Sequence, residues 1–135
     1  MSRCLSGSME NPRILLVDDE PALADLLKRY LDRLGYTVDA CGNAATAVAW
    51  SNDPPGKYGL VIADLTLPDM NGAELVAKLR ETNPSLAALI TSGYPYQGGT
   101  AGVEFLQKPF LPKALAEAIE RTLANLTGSR LPAQR

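Results

Sequence analysis

Ile14-Leu15-Leu16-Val17-Asp18-Asp19-Glu20 and Leu60-Val61-Ile62-Ala63-Asp64-Leu65 decide the fold. In each stretch an unbroken apolar run of strand formers ends abruptly in carboxylates. Apolar runs without alternation belong to strands buried on both faces, as in a parallel sheet. Leu86-Ala87-Ala88-Leu89-Ile90 is a third such run, while Thr37-Val38-Asp39-Ala40 and Val103-Glu104-Phe105-Leu106 are shorter strand candidates.

Helical patterns lie between these strands. Leu23, Leu26, Leu27, Tyr30, Leu31 and Leu34 recur at helical spacing and predict one apolar stripe, with Pro21 at the first position and Gly35 past the end. A weaker, Ala-rich helix is expected from Asn43 to Trp50, closed by Asn52-Asp53-Pro54-Pro55-Gly56. Leu75, Val76 and Leu79 mark a helix that starts near Asn71-Gly72 and ends before Pro84. Leu115, Ile119, Thr122, Leu123 and Leu126 mark the last, stopped by Gly128. Strands alternating with helices predict a doubly wound α/β sheet, and for five strands the flavodoxin-like order 2-1-3-4-5. One segment departs from the rhythm. Gly93 to Gly102 carries four glycines and a proline in ten residues. A parallel crossover needs about a dozen residues including its helix, so the helix expected between the fourth and fifth strands is short or absent.

At 135 residues the chain is long enough for one domain with a core of its own. Apolar residues make up 46%, charged residues 21%, and the net charge is −2, which excludes global disorder. A pI of about 5.1 argues against nucleic acid as a direct partner. The histidine count is zero. This removes Ser-His-Asp and Cys-His catalysis, zinc sites of the usual Cys/His kind, and any role as the histidine-phosphorylated member of a relay. Cys4 and Cys41 match no metal or redox spacing and read as reduced thiols of a cytoplasmic protein. No apolar run approaches the ~20 residues of a membrane span. Residues 1–11 read as a disordered tail, with 1–8 as a cloning remnant ahead of a natural start at Met9, and 127–135 as a short C-terminal tail.

Ligands of such sheets bind at the carboxyl ends of the strands, where strand order reverses. That point lies between the first and third strands, so Asp18, Asp19 and Asp64 fall side by side at one rim. A lone aspartate there would be read as a helix cap or turn residue. Three clustered carboxylates repel one another, and a hard divalent cation relieves this; oxygen-only ligands favour Mg²⁺. Thr91-Ser92-Gly93 ends the fourth strand, and Lys108-Pro109-Phe110 follows the fifth. A hydroxyl and an ammonium facing a carboxylate and a metal form a cradle for a phosphoryl group.

Four motifs in order resemble the receiver domain of two-component response regulators, the CheY-like family. They are Val17-Asp18-Asp19-Glu20, Asp64 through Gly72, Thr91-Ser92-Gly93-Tyr94 and Phe105-Leu106-Gln107-Lys108-Pro109-Phe110. The resemblance covers about Pro12 to Asn125 and sets the domain at 12–126. It implies that Asp64 is the phospho-acceptor, taking its phosphoryl group from a histidine kinase or a histidine phosphotransfer protein. It implies Mg²⁺ on Asp19, Asp64 and the Thr66 backbone carbonyl, with Asp18 helping through water. Lys108 would pair with a phosphoryl oxygen, Ser92 would swing toward it, and Phe105 would stand at the switch-aromatic position without the usual hydroxyl. Thr66 and Tyr94 match positions that tune phosphoryl lifetime. The resemblance leaves open whether the domain stands alone or is excised from a longer chain such as a hybrid histidine kinase. Two rival readings are a docking module that is never phosphorylated and a Mg²⁺-dependent phosphatase. The phosphatase would want a carboxylate where Thr66 stands.

Overall fold

Arg13–Val17 forms strand β1, and in the computed structural model every residue of it after Arg13 is buried. The structure describes residues 12–94 and 103–128. The expectations for the tail at 1–11, for most of the 93–102 segment and for residues 129–135 lie outside the described residues. From β1 the order runs α1 (Pro21–Arg33), β2 (Thr37–Cys41), α2 (Ala44–Ser51), β3 (Leu60–Asp64), α3 (Gly72–Thr82), β4 (Ala87–Ser92), β5 (Val103–Gln107) and α4 (Pro112–Gly128).

The five strands are parallel in the order β2-β1-β3-β4-β5, the flavodoxin-like arrangement expected. Side chains alternate across the sheet. Ile14 and Leu16 of β1 therefore point to one face, with Leu27 and Leu31 of α1 and Leu115 and Ile119 of α4. Leu15 and Val17 point to the other, with Ala44 and Ala47 of α2 and Leu75, Val76 and Leu79 of α3. Both faces are covered, which is why β1, β3 and β4 read as continuous apolar runs. β5, at the edge, is only half-buried.

The α1 stripe is narrower than its sequence pattern. Ala24, Leu27 and Leu31 are buried, whereas Leu26 and Leu34 are 52% and 47% exposed. Leu26 sits about 100° round the helix from Leu27, and Leu34 has already left the helix as its C-cap. Gly35 then adopts a φ of 99°, a conformation that favours glycine, and its N–H closes on the Asp32 carbonyl at 3.0 Å.

Strand register sets the site. Val17 pairs with Cys41 on one side and Ala63 on the other, Asp64 pairs with Thr91, and Ser92 pairs with Gln107. The next residues out, Asp18 and Lys108, must therefore meet Asp64 and Ser92 at a single rim.

Candidate functional site at the carboxyl rim

Asp18 continues the ladder by one bond, its N–H donating to the Cys41 carbonyl at 3.0 Å. The chain then turns, and the Glu20 N–H donates to Asp18 Oδ1 at 2.9 Å. The Asp64 carboxylate is held likewise: its Oδ1 accepts the Thr66 N–H at 3.2 Å. The second oxygen of each carboxylate faces Lys108, whose Nζ lies 3.1 Å from Asp18 Oδ2 and 3.2 Å from Asp64 Oδ2. Glu20 Oε1 stands farther off, at 3.7 Å. Lys108 reaches this point because its own N–H is fixed to the Ser92 carbonyl at 2.6 Å. The Lys108–Pro109 peptide is cis.

Burial is steep across the cluster. The Asp18 side chain is 3% exposed, that of Asp64 11% and that of Lys108 18%, while Asp19 lies at the exposed mouth. Burial pushes the Asp18 carboxyl above the ordinary range, because the loss of water outweighs the help of the Glu20 N–H and the Lys108 charge. Burial works against the Lys108 ammonium too, but its bonds to Asp18 and Asp64 prevail and raise its pKa. One oxygen from each of Asp18, Asp19 and Asp64 falls within 4.8 Å of the others. Three hard oxygen donors at this spacing, one at an open edge, suit a hard cation that keeps part of its water shell.

The remaining residues singled out in the sequence sit around this centre. Ser92 is buried and its Oγ accepts the Tyr94 N–H at 3.0 Å. Tyr94 itself is 73% exposed. Thr66 is exposed, in a short loop closed by an antiparallel bridge to Asn71. Phe105 packs half-buried against the α2–α3 side of the core, beside Ile90 of β4.

Two residues of the loop went unremarked as separate features in the sequence. A Cβ on Gly72 would overlap the Asp64 carbonyl oxygen and come within 3.0 Å of Leu65 Cα, so only glycine lets α3 start this close to the end of β3. Asp69 accepts the N–H groups of Ala44 and Ala45 at the start of α2. Gly72 carried a signal in the Asn71-Gly72 helix start; Asp69 carried none, since its partners are 25 and 24 residues away.

Comparison with known proteins agrees with this geometry. The family model described as the response regulator receiver domain matches residues 14–120. The transcriptional regulator NtrC of Azospirillum brasilense, described as DNA-binding, is 34% identical over 132 residues, 93% of this chain. The chain spans 27% of that relative's length. The response regulator receiver protein CpdR of Brucella abortus is 29% identical over 117 residues, covering 82% of this chain and 96% of that one. The crystal structure of the receiver domain from the hybrid histidine kinase CckA superposes with a TM-score of 0.75 at 32% identity, covering 82% of this chain and 98% of that one. Among the described residues no helix is long and apolar enough to cross a membrane.

Proposed function

The chain belongs to the response regulator receiver family of two-component systems, and from that premise we propose that it is a phospho-acceptor switch in which Asp64 takes a phosphoryl group from a phosphohistidine. The donor is a histidine kinase or a histidine phosphotransfer protein in the cytoplasm. The observation that carries the reading is the meeting of Lys108 Nζ with Asp18 and Asp64 at 3.1 and 3.2 Å, over a triad of carboxylates at one rim.

In the transfer, an Asp64 oxygen forms a bond to phosphorus while the phosphorus–nitrogen bond of the donor breaks. The electron pair leaves with the donor imidazole. Asp19, Asp64 and the Thr66 carbonyl would hold Mg²⁺, with Asp18 acting through water; when bound, the ion offsets the negative charge of the phosphoryl oxygens. Lys108 is placed to exchange its contact with Asp64 Oδ2 for one with a phosphoryl oxygen. A cavity of about 400 Å³ lined by Glu20, Leu23, Gly93, Lys108, Pro109 and Phe110 opens beside that lysine and leaves the donor a route of approach.

Phosphorylation converts one negative charge into about two (by analogy with phosphorylated hydroxyls). The new oxygens draw the Ser92 hydroxyl, now held by the Tyr94 N–H, and Phe105 follows in the space released. Thr66 and Tyr94, both exposed, set how readily water reaches the acyl phosphate. Inverting a 1:99 balance of two surfaces requires roughly 5.5 kcal/mol of differential stabilisation.

Incubation with acetyl phosphate and Mg²⁺, read by intact mass, tests the reading. One phosphoryl group should be gained, and lost in Asp64→Asn or when Mg²⁺ is withheld. No gain, repeated with a competent histidine kinase as donor, refutes it in favour of a docking module that works unphosphorylated.

A further inference from the structure

We infer that Asp69 is a positioning residue for the Asp64 site, acting by tying the loop after Asp64 to the first turn of α2. The inference rests on the phospho-acceptor reading above. Asp69 Oδ1 accepts the Ala44 N–H at 2.9 Å and Oδ2 accepts the Ala45 N–H at 3.0 Å. A helix cap normally comes from the residue next to the helix. Here the adjacent Asn43 holds the Thr46 N–H at 2.8 Å and leaves the first two amides to Asp69. A carboxylate at a helix N-terminus is favourably placed for charge as well.

Both ends of this tie reach the acidic site. Asp69 sits in the small hairpin whose strands meet at the Thr66–Asn71 bridge, and the Thr66 N–H holds Asp64 Oδ1 at 3.2 Å. At the other end Gly42, just ahead of α2, lies against the β1–α1 turn: a Cβ there would stand 3.8 Å from the Asp18 carbonyl oxygen and 3.9 Å from Asp19 Cα. The carboxylates of β1 and β3 are therefore spaced twice. The sheet register fixes them from below, and Asp69 fixes the loops from above, through α2. Without Asp69, the loop carrying Thr66 loses its link to the turn beside Asp18 and Asp19.

The test compares the full chain with Asp69→Ala, Asp69→Asn and Asn43→Ala. Asn43→Ala removes the other cap of the same helix without touching the loop after Asp64. Each protein is read three ways: thermal melting, Mg²⁺ affinity by calorimetry, and the rate of phosphoryl gain from acetyl phosphate by intact mass. Asp69→Ala should weaken Mg²⁺ binding and slow phosphoryl gain by about tenfold each. Asp69→Asn, which keeps one acceptor oxygen, should recover part of both. Asn43→Ala should melt lower, yet hold affinity and rate within about twofold. Wild-type affinity and rate in Asp69→Ala, or equal losses in Asn43→Ala, overturn the inference. If the wild type binds Mg²⁺ but gains no phosphoryl group, the phospho-acceptor reading fails and the Mg²⁺ affinities alone decide on Asp69. If it does neither, both fall.

Discussion

Replacing Gly72 by alanine should destabilise the protein, against the ordinary preference of helices. In a helix interior alanine is favoured over glycine by up to about 1 kcal/mol. Gly72 is the first residue of α3 and has no positive φ, so its backbone would accept a side chain. Space decides instead. The added Cβ would overlap the Asp64 carbonyl oxygen and stand 3.0 Å from both Asp64 C and Leu65 Cα, all of them backbone atoms that no rotamer change can move aside. The Gly72 N–H is already drawn onto the Leu65 carbonyl at 2.7 Å, so the helix start cannot simply lift away. Overpacking costs about 1–3 kcal/mol, and because the atoms met here are backbone that cannot give way, Gly72→Ala falls in the upper part of that range, about 2–3 kcal/mol. After the helix preference is subtracted, a net loss of about 1–2 kcal/mol remains, which lowers Tm by about 3–10 °C for a chain of this size. Gly42→Ala is the matched control, because its Cβ would meet nothing closer than 3.8 Å. Urea and thermal melts followed by circular dichroism and Trp50 fluorescence would measure both. Gly72→Ala as stable as the wild type, or no worse than Gly42→Ala, would show that the close approach of α3 to Asp64 does not constrain this position.

Two further substitutions probe the charges. Asp18→Asn should raise the stability of the metal-free protein at pH 7, since burial already disfavours the Asp18 carboxylate, a neutral isostere removes that cost, and Lys108 keeps Asp64 as a partner; added Mg²⁺ should stabilise the wild type more than the variant, and a urea melt with and without the ion checks both. Tyr58→Phe should cost about 1–2 kcal/mol at pH 7 by deleting the 2.7 Å bond from the buried Tyr58 hydroxyl to Asp39 Oδ2. Burial opposes the Asp39 carboxylate, but Arg13 and Tyr58 together hold its pKa below the ordinary value. Its stabilising contribution is thus present above the unfolded-state pKa and disappears as pH falls through the lower folded-state value, so the difference between Tyr58→Phe and wild type should shrink in melts run at progressively more acid pH.

The sequence carried those parts of the site that depend on periodicity and on chain ends. β1, β3 and β4 announce themselves because a strand buried on both faces leaves no polar alternation. Once the strand order is known, register alone delivers Asp18, Asp64, Ser92 and Lys108 to one rim. What stayed hidden depends on angle and on distant packing. Six apolar residues in and just past α1 fit one stripe, yet the core covers Ala24, Leu27 and Leu31 fully and Leu23 and Tyr30 in part, while Leu26 and Leu34 fall outside it. A periodic pattern fixes how wide an apolar face can be, but not how much of it the neighbouring layer covers. Asp69 is hidden for a related reason. In sequence it is one more polar turn residue between Pro68 and Asn71, a position where aspartate needs no partner to be explained. Its two bonds exist because α2 crosses over β1 and packs beside α3, which brings the start of α2 to the loop that follows Asp64. The side chains of the acidic rim sit where strand ends must put them, whereas the bonds of Asp69 join loops far apart in the chain, and these no local pattern encodes.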